Sequence, residues 1–164
     1  MPSEVNKEII RRVKRIPLFT GEPQTLADLF YFALENHSRK DALNYKRDGE
    51  WHSIPTKEFI ERGENIALGL YSLGIKTGER AAILASNSPE WTLADAGCQF
   101  AGIIDAPIYT TLTPSSVKYI LNDSEAKVFF VQNVEKFERL EEIIPECKTL
   151  EKLVFFGSEK IDSE

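Results

Sequence analysis

One short stretch combines hydroxyl groups, an aromatic ring and a helix start, and it is the best candidate in the sequence for contact with a ligand. Tyr109, Thr110, Thr111 and Leu112 precede Thr113-Pro114, a pair typical of a helix N-cap followed by the first helical position. Hydroxyl groups beside a helix N-terminus favour an anionic group. The alternative is structural, with Thr113 capping the helix and its neighbours turning the chain. The residues alone leave both interpretations open.

Motifs for nucleotide binding or hydrolysis do not occur in the sequence. Gly69 and Gly74 have the spacing of two Walker glycines, but Ile75 separates them from Lys76-Thr77, and the stretch ends a helix. The sequence contains no Gly-x-Gly-x-x-Gly and no Gly-x-Ser-x-Gly. A phosphate-binding loop, a dinucleotide site and a serine nucleophile are therefore not predicted.

The histidines and cysteines are interpreted as structural. His37 falls in the last turn of a predicted helix and His52 in a predicted hairpin, while Cys98 lies among apolar helix residues. Cys147 falls in a predicted loop beside Lys148, where a plain loop cysteine is favoured over a reactive thiol. Two cysteines so far apart also suit neither a disulfide framework nor a metal site. We predict no catalytic residue and no metal site.

The first part of the sequence predicts a helix, a hairpin and a second helix. Thr25 and Asp28 form a capping-box-like pair at the start of a helix over residues 25–39. Asp48-Gly49, a strong hairpin signal, separates predicted strands at residues 42–47 and 51–54. Apolar residues at helical spacing then predict a helix over residues 56–73.

From residue 80 onward, short apolar strands alternate with helices, a pattern that indicates a parallel sheet with right-handed crossovers. Strands are predicted at residues 80–85, 103–109, 127–131 and 153–156, with helices over residues 89–101, from 114, and from Asn133 to about residue 144. Ligands of such sheets lie beyond the carboxyl ends of the strands. Residues 86–89, 109–114 and 132–133 are expected at that edge.

The fold class is therefore α/β, a βαβαβαβ parallel-sheet domain preceded by a helix-hairpin-helix prelude. The fourth strand is followed only by the polar residues 157–164, so we expect an incomplete sheet and a chain that is part of a larger protein. An unrelated flavodoxin-like domain is the alternative, but it requires a fifth strand.

Composition indicates an ordinary globular domain with an uneven distribution of charge. Of 164 residues, 42% are hydrophobic and 28% charged, with a net charge of −6. Residues 1–20 carry five basic and two acidic side chains, a net +3, which leaves −9 on the remainder. We predict a basic arm over residues 1–24, no nucleic-acid partner and a cytoplasmic location. The arm is predicted to pack on the body, with contact to an anionic membrane or to another subunit as alternatives.

Three linked stretches carry a resemblance to a known family. They are GERAAILASNSPEW (residues 78–91), AGIIDAPIYTTLTP (residues 101–114) and YILNDSEAKVFFV (residues 119–131). At these separations they resemble the N-terminal part of the adenylate-forming acyl-CoA synthetases, most closely the long-chain fatty acid–CoA ligases. The resemblance implies that residues 25–164 are the N-terminal portion of an AMP-binding domain, truncated before the catalytic motifs.

The resemblance implies a chemistry that needs more than this chain. The family uses ATP, Mg²⁺ and coenzyme A to convert a fatty acid first to an acyl-adenylate and then to an acyl-CoA thioester. Its Ser/Thr/Gly-rich phosphate loop and later motifs do not occur in the sequence. We therefore expect this chain to be inactive alone and to bind none of these cofactors tightly.

The resemblance also implies roles for a few positions. Tyr109, Thr110 and Thr111 match the family position that borders the coenzyme A passage, whereas Trp91 is assigned to core packing and Asn87 to capping. Long-chain members can pair through their N-terminal regions and work beside membranes, which implies a homodimer or peripheral membrane contact for the arm. The alternative function is a stand-alone module of the same fold that binds coenzyme A or a partner.

Overall fold

The computed structural model describes residues 22–157. Its strands form one parallel sheet and one short hairpin. The predicted arm lies outside the described residues except for residues 22–24. In chain order the elements are α1 (Leu26–Asn36), β1 (Leu43–Arg47), β2 (Glu50–Ile54), α2 (Thr56–Ser72), β3 (Arg80–Leu84), α3 (Pro89–Ala101), β4 (Ile104–Ile108), α4 (Pro114–Asp123), β5 (Val128–Val131), α5 (Val134–Glu138), a 3-10 helix (Glu141–Glu146) and β6 (Lys152–Phe155).

The sheet confirms the predicted α/β class. Its four strands lie in the order β4-β3-β5-β6, and every neighbouring pair is parallel. Ala82 of β3 pairs with Ala106 of β4 on one side and with Phe129 of β5 on the other. The next strand in the chain, β4, thus lies on one side of β3, and the strand after it, β5, lies on the other.

Helices cover both faces of the sheet. Val128 and Phe130 of β5 pack into a cluster with α2 and α3, whereas Phe129 and Val131 face a cluster built from α4 and the 3-10 helix. All four β5 side chains are buried, as expected for a strand inside a doubly covered parallel sheet. The strand therefore reads as a continuous apolar run in the sequence.

The predicted prelude is present and packs on the same side as α3. The Phe30 ring of α1 contacts the rings of Phe59 and Phe100, which lie on α2 and α3. Asp48 and Gly49 have φ values of 51° and 85°, as a type I′ turn requires, and β1 pairs with β2 in the expected antiparallel register. These contacts join the prelude to the parallel-sheet domain.

Helices α2 and α3 approach closely where both carry glycine. A Cβ atom built on Gly63 would lie 2.6 Å from Phe100 Cε2, and one built on Gly97 would lie 2.6 Å from Ile66 Cβ. Real Cβ atoms do not approach other atoms this closely. The two glycines are therefore required by packing rather than by backbone conformation.

Two predicted helix ends are wrong. The first helix ends at Asn36 rather than near residue 39, with His37 as its C-cap. The helix predicted from Asn133 to residue 144 is split into α5 and the 3-10 helix, which contains Pro145. Proline lacks a backbone N–H and clashes with the carbonyl four residues earlier, so residues 141–145 do not form a regular α-helix.

Candidate functional site

β3 and β5 are adjacent, and their carboxyl ends lie side by side. The strand order of the sheet changes direction between these two strands. The connection from β3 to β4 runs through α3 on one face, and the connection from β4 to β5 runs through α4 on the other. Right-handed crossovers on opposite faces leave a crevice between the two strands at this place. The crevice is the position at which an open α/β sheet usually binds its ligand.

The loops after β3 and β5 are joined at this crevice. The Ser86 amide donates a hydrogen bond to Gln132 Oε1 at 3.0 Å, and the Gln132 amide donates to the Leu84 carbonyl at 3.0 Å. The structure therefore brings together two of the three predicted edge segments, residues 86–89 and 132–133.

Helix α3 begins at the same crevice. Ser88 Oγ accepts a hydrogen bond from the Trp91 amide at 3.2 Å, and Pro89 is the first helical residue, as predicted. Asn87 was predicted to cap, and this is wrong, since Ser88 is the N-cap and Asn87 is exposed beside it. Trp91 packs against the core as predicted.

Ser88→Ala is expected to lower the free energy of unfolding by about 1 kcal/mol, because one amide of the first turn of α3 loses its partner. Ser86→Ala is the matched control, since Ser86 contributes its backbone amide, which the substitution keeps. Urea denaturation followed by circular dichroism measures both. Equal stabilities for the two variants would contradict the capping role.

A groove of about 620 Å³ lies between the hairpin and the start of α3. Lys46 and Trp51 pair across the hairpin, and Trp51 is 73% exposed. Arg47 forms an ion pair with Glu90 of α3 at 3.0 Å, which joins the hairpin to the helix start. The remaining lining residues include Asn87, Ser88 and Gln132. The groove thus combines cationic, aromatic and amide groups with the positive end of a helix dipole.

Sequence reasoning missed the hairpin side of this groove. The available signal was Lys46-Arg47 opposite Trp51 around the Asp48-Gly49 turn. The pattern predicted the hairpin itself, but it contained no information on which helix start the hairpin would cover.

The loop after β4 is separate from the groove. Tyr109 is 81% exposed, and neither Tyr109, Thr110 nor Thr111 lines the groove. The guanidinium of Arg139 donates to the carbonyls of Thr110 and Leu112 at 3.5 Å each, which holds the loop against α5. The loop is therefore anchored through its backbone, and its outer side chains face solvent.

Thr113 has the structural role that the sequence predicted. Its Oγ1 accepts a hydrogen bond from the Ser116 amide at 3.3 Å and lies 3.0 Å from the hydroxyls of Ser115 and Ser116. Thr113 is the N-cap of α4, and Pro114 is the first helical residue. The capping interpretation is confirmed for Thr113, whose hydroxyl is already engaged.

The two thiols are buried. Cys98 lies in the core as predicted, and burial raises its pKa. Cys147 lies in a loop, as predicted, and the reactive alternative is not supported, because the residue is buried and its thiol donates to the Ile143 carbonyl at 3.4 Å. Burial also raises the pKa of Cys147, so its reactive thiolate form is disfavoured.

Neither histidine lies in the groove. The His37 ring contacts Phe32 at the end of α1, and the His52 ring stacks on Tyr45 at 5.3 Å. Among residues 22–157, no group of three or more His, Cys, Asp or Glu side chains is arranged to hold a metal ion. No helix in the same range is long and apolar enough to cross a membrane.

A family model of AMP-binding enzymes matches residues 30–162. This chain belongs to the AMP-binding enzyme family. The match contains the parallel sheet, the groove and the loop after β4, and it confirms the family resemblance drawn from the three sequence stretches.

Relatives of this AMP-binding chain are named as ligases. The long-chain-fatty-acid–CoA ligase ACSBG1 of Mus musculus is 32% identical over 145 residues, which are 88% of this chain and 20% of that protein. The Homo sapiens ACSBG1 is 34% identical over 134 residues, 82% of this chain and 18% of that protein. The chain thus spans about a fifth of the length of these curated relatives.

A solved structure in the family has the same fold. The anthranilate CoA ligase AuaEII, solved in complex with anthranoyl-AMP, superimposes with a TM-score of 0.74 at 26% sequence identity. The match covers 88% of this chain and 26% of AuaEII. The α/β architecture of this AMP-binding chain is therefore that of adenylate-forming ligases.

Proposed function

We propose that this chain is the N-terminal portion of a long-chain fatty acid–CoA ligase. The observation that carries the proposal is the 32–34% identity to the mouse and human ligases over more than four-fifths of the chain. The family match from residue 30 supports the proposed domain boundaries, with residues 1–24 as an arm and residues 25–164 within an AMP-binding domain.

The proposed reaction has two steps. The fatty acid carboxylate attacks the α-phosphorus of ATP, pyrophosphate leaves, and an acyl-adenylate forms. The thiol of coenzyme A then attacks the acyl carbonyl, loses its proton and displaces AMP, leaving a thioester. A protein accelerates such steps by positioning the reactants and by stabilising the charge on the phosphates.

Tyr109, Thr110 and Thr111 are proposed to border the passage of coenzyme A. Their place after β4 supports the proposal, since the loop lies at the carboxyl edge and exposes the side chains of Tyr109 and Thr111, whereas Thr110 is half-buried. Arg139 donates hydrogen bonds to the carbonyls of Thr110 and Leu112, which leaves the outer side chains of the loop available for a ligand. Their hydroxyls and ring suit a polar, uncharged chain such as pantetheine.

The phosphate chemistry is assigned to residues outside this chain. Within residues 22–157 the acidic side chains form no metal-binding group, so Mg²⁺ would be held by the phosphates of ATP and by other parts of the ligase. The chain alone is therefore proposed to be inactive, and its role is to build one wall of the ligand path.

The test is fatty-acid-dependent exchange of labelled pyrophosphate into ATP by the purified 164-residue chain, with mouse ACSBG1 as the active control. We expect exchange at background. Exchange that saturates with a long-chain fatty acid would contradict the proposed inactivity. Calorimetry with coenzyme A on the same preparation tests the alternative function. Micromolar binding by the isolated chain would favour a stand-alone binding module.

A further inference from the structure

The two edges of the parallel sheet differ in the backbone groups that they expose. β4 and β6 are the outer strands, and no strand among residues 22–157 pairs with the outer side of either. An outer strand leaves every second residue with an amide and a carbonyl that have no strand partner. The hydrogen bonds on the inner side of each strand show which residues these are.

The outer edge of β4 is blocked by a proline. The Ile104 amide donates a hydrogen bond to the Glu79 carbonyl at 2.9 Å, so the backbone groups of Ile104 point toward β3. Successive residues of a strand point these groups to alternate sides, and those of Asp105 and Pro107 therefore point away from β3. Proline has no N–H to donate and is typical of edge strands that take no further neighbour. The β4 edge thus offers a single outward amide, that of Asp105.

The outer edge of β6 has no such block. The Lys152 amide donates to the Lys127 carbonyl at 3.1 Å, which points the backbone groups of Lys152 toward β5. By the same alternation, the amides and carbonyls of Leu153 and Phe155 point away from β5. The strand contains no proline, so both residues can donate as well as accept a hydrogen bond.

The side chains of β6 are also less covered than those of its neighbour. All four β5 side chains are buried, whereas Leu153 is 37% exposed and Val154 and Phe155 are half-buried. Val154 packs into the cluster with α2 and α3, and Phe155 packs into the cluster on the other face. An apolar strand with free outward amides and partial cover is an edge to which a further strand can add.

We propose that β6 pairs along this edge with an extended segment from the remainder of the ligase, while β4 ends the sheet. The inference rests on the proposed function, because it takes this chain to be one portion of a longer ligase. The curated relatives are about five times as long as the matched stretch, which leaves ample chain to supply the segment. The segment bonds to the backbone of Leu153 and Phe155, and its apolar side chains cover Leu153.

The shortness of β6 favours this occupant over a second copy of the chain. β6 has four residues, and pairing two such edges would bury far less than the roughly 1,000 Å² that a stable interface between separate molecules needs. A segment of the same polypeptide has a high effective concentration, so a few main-chain hydrogen bonds suffice.

Hydrogen exchange of single amides tests the proposal. It compares the 164-residue chain with a chimera in which residues 30–157 replace the matching segment of mouse ACSBG1. We expect the Leu153 and Phe155 amides to exchange about 100-fold more slowly in the chimera, because the added strand protects them. The Asp105 amide of β4 is the matched control and should exchange at the same rate in both proteins.

Three results would overturn the proposal. The first is unchanged exchange at Leu153 and Phe155 in a folded chimera, and the second is equal slowing at Asp105. The third is strong protection of Leu153 already in the 164-residue chain, which would assign the edge to the chain itself or, if protection rises with protein concentration, to a second copy. Pyrophosphate exchange by the same chimera reports separately on the proposed function, since a folded chimera without that activity still reports on the edge.

A backbone substitution provides a second readout. Leu153→Pro removes the outward amide, and Leu153→Ala is the matched control because it removes the same side chain and keeps the amide. In the chimera we expect Leu153→Pro to lower the ratio of folded to unfolded protein about tenfold relative to Leu153→Ala. In the 164-residue chain the two variants should unfold at the same urea concentration, because proline is tolerated where the amide faces solvent. Equal urea midpoints for the two chimeras would contradict the proposed pairing.

Discussion

Gly97→Ala is expected to lower the free energy of unfolding by about 1–3 kcal/mol, the range for inserting a methyl group into a packed core. The new Cβ would lie 2.6 Å from Ile66 Cβ and 3.3 Å from the Gly63 carbonyl oxygen. Neither is the free end of a flexible side chain. Relief therefore requires that α2 and α3 separate, which also disturbs the packing of Phe100 and the prelude.

Gly69→Ala provides a control with the opposite expected sign. Gly69 also lies in a helix, but a Cβ built there meets no atom within 4 Å. Alanine should stabilise α2 by about 0.5–1 kcal/mol, because glycine loses more conformational entropy in a helix. Urea denaturation of both variants gives the comparison. Stabilisation by both would show that α2 and α3 are not packed as closely as described.

Thr111→Trp is expected to raise the KM for coenzyme A about tenfold or more while leaving pyrophosphate exchange unchanged. The substitution belongs in a complete ligase, so residues 30–157 of this chain would replace the matching segment of mouse ACSBG1. A large ring at the exposed Thr111 would narrow the passage used in the second step, and a tenfold change corresponds to about 1.4 kcal/mol of binding.

Tyr119→Trp in the same chimera controls for the added bulk, since Tyr119 is exposed on α4 outside the loop. The two activities are measured separately, as exchange of labelled pyrophosphate and as thioester formation at varied coenzyme A. An unchanged KM for coenzyme A in Thr111→Trp would remove Thr111 from the passage. Loss of exchange as well would indicate a role in folding or adenylation instead.

Local signals predicted much of the fold. The capping side chains of Thr25, Ser88, Thr113 and Asn133 bond to amides three residues away, so sequence spacing specifies the interaction. The Asp48-Gly49 turn is equally local, because its positive φ values depend on the two residue types. The carboxyl edge of the sheet followed from the alternation of strands and helices.

Tertiary contacts explain what the sequence did not predict. The groove between the hairpin and α3 exists only because the hairpin lies over the start of that helix. The Arg47–Glu90 ion pair that joins them connects residues 43 positions apart. The loop position of Cys147 followed from the sequence, but its burial by α4 and the 3-10 helix did not. No periodic pattern encodes such contacts between distant segments.

The most direct test of the central claim is fatty-acid-dependent pyrophosphate exchange by the unsubstituted chimera. If residues 30–157 form the N-terminal portion of a long-chain fatty acid–CoA ligase, they should replace the mouse segment and support exchange well above background. A chimera that is soluble and folded by circular dichroism, yet exchanges no pyrophosphate with any long-chain fatty acid tested, would contradict the claim.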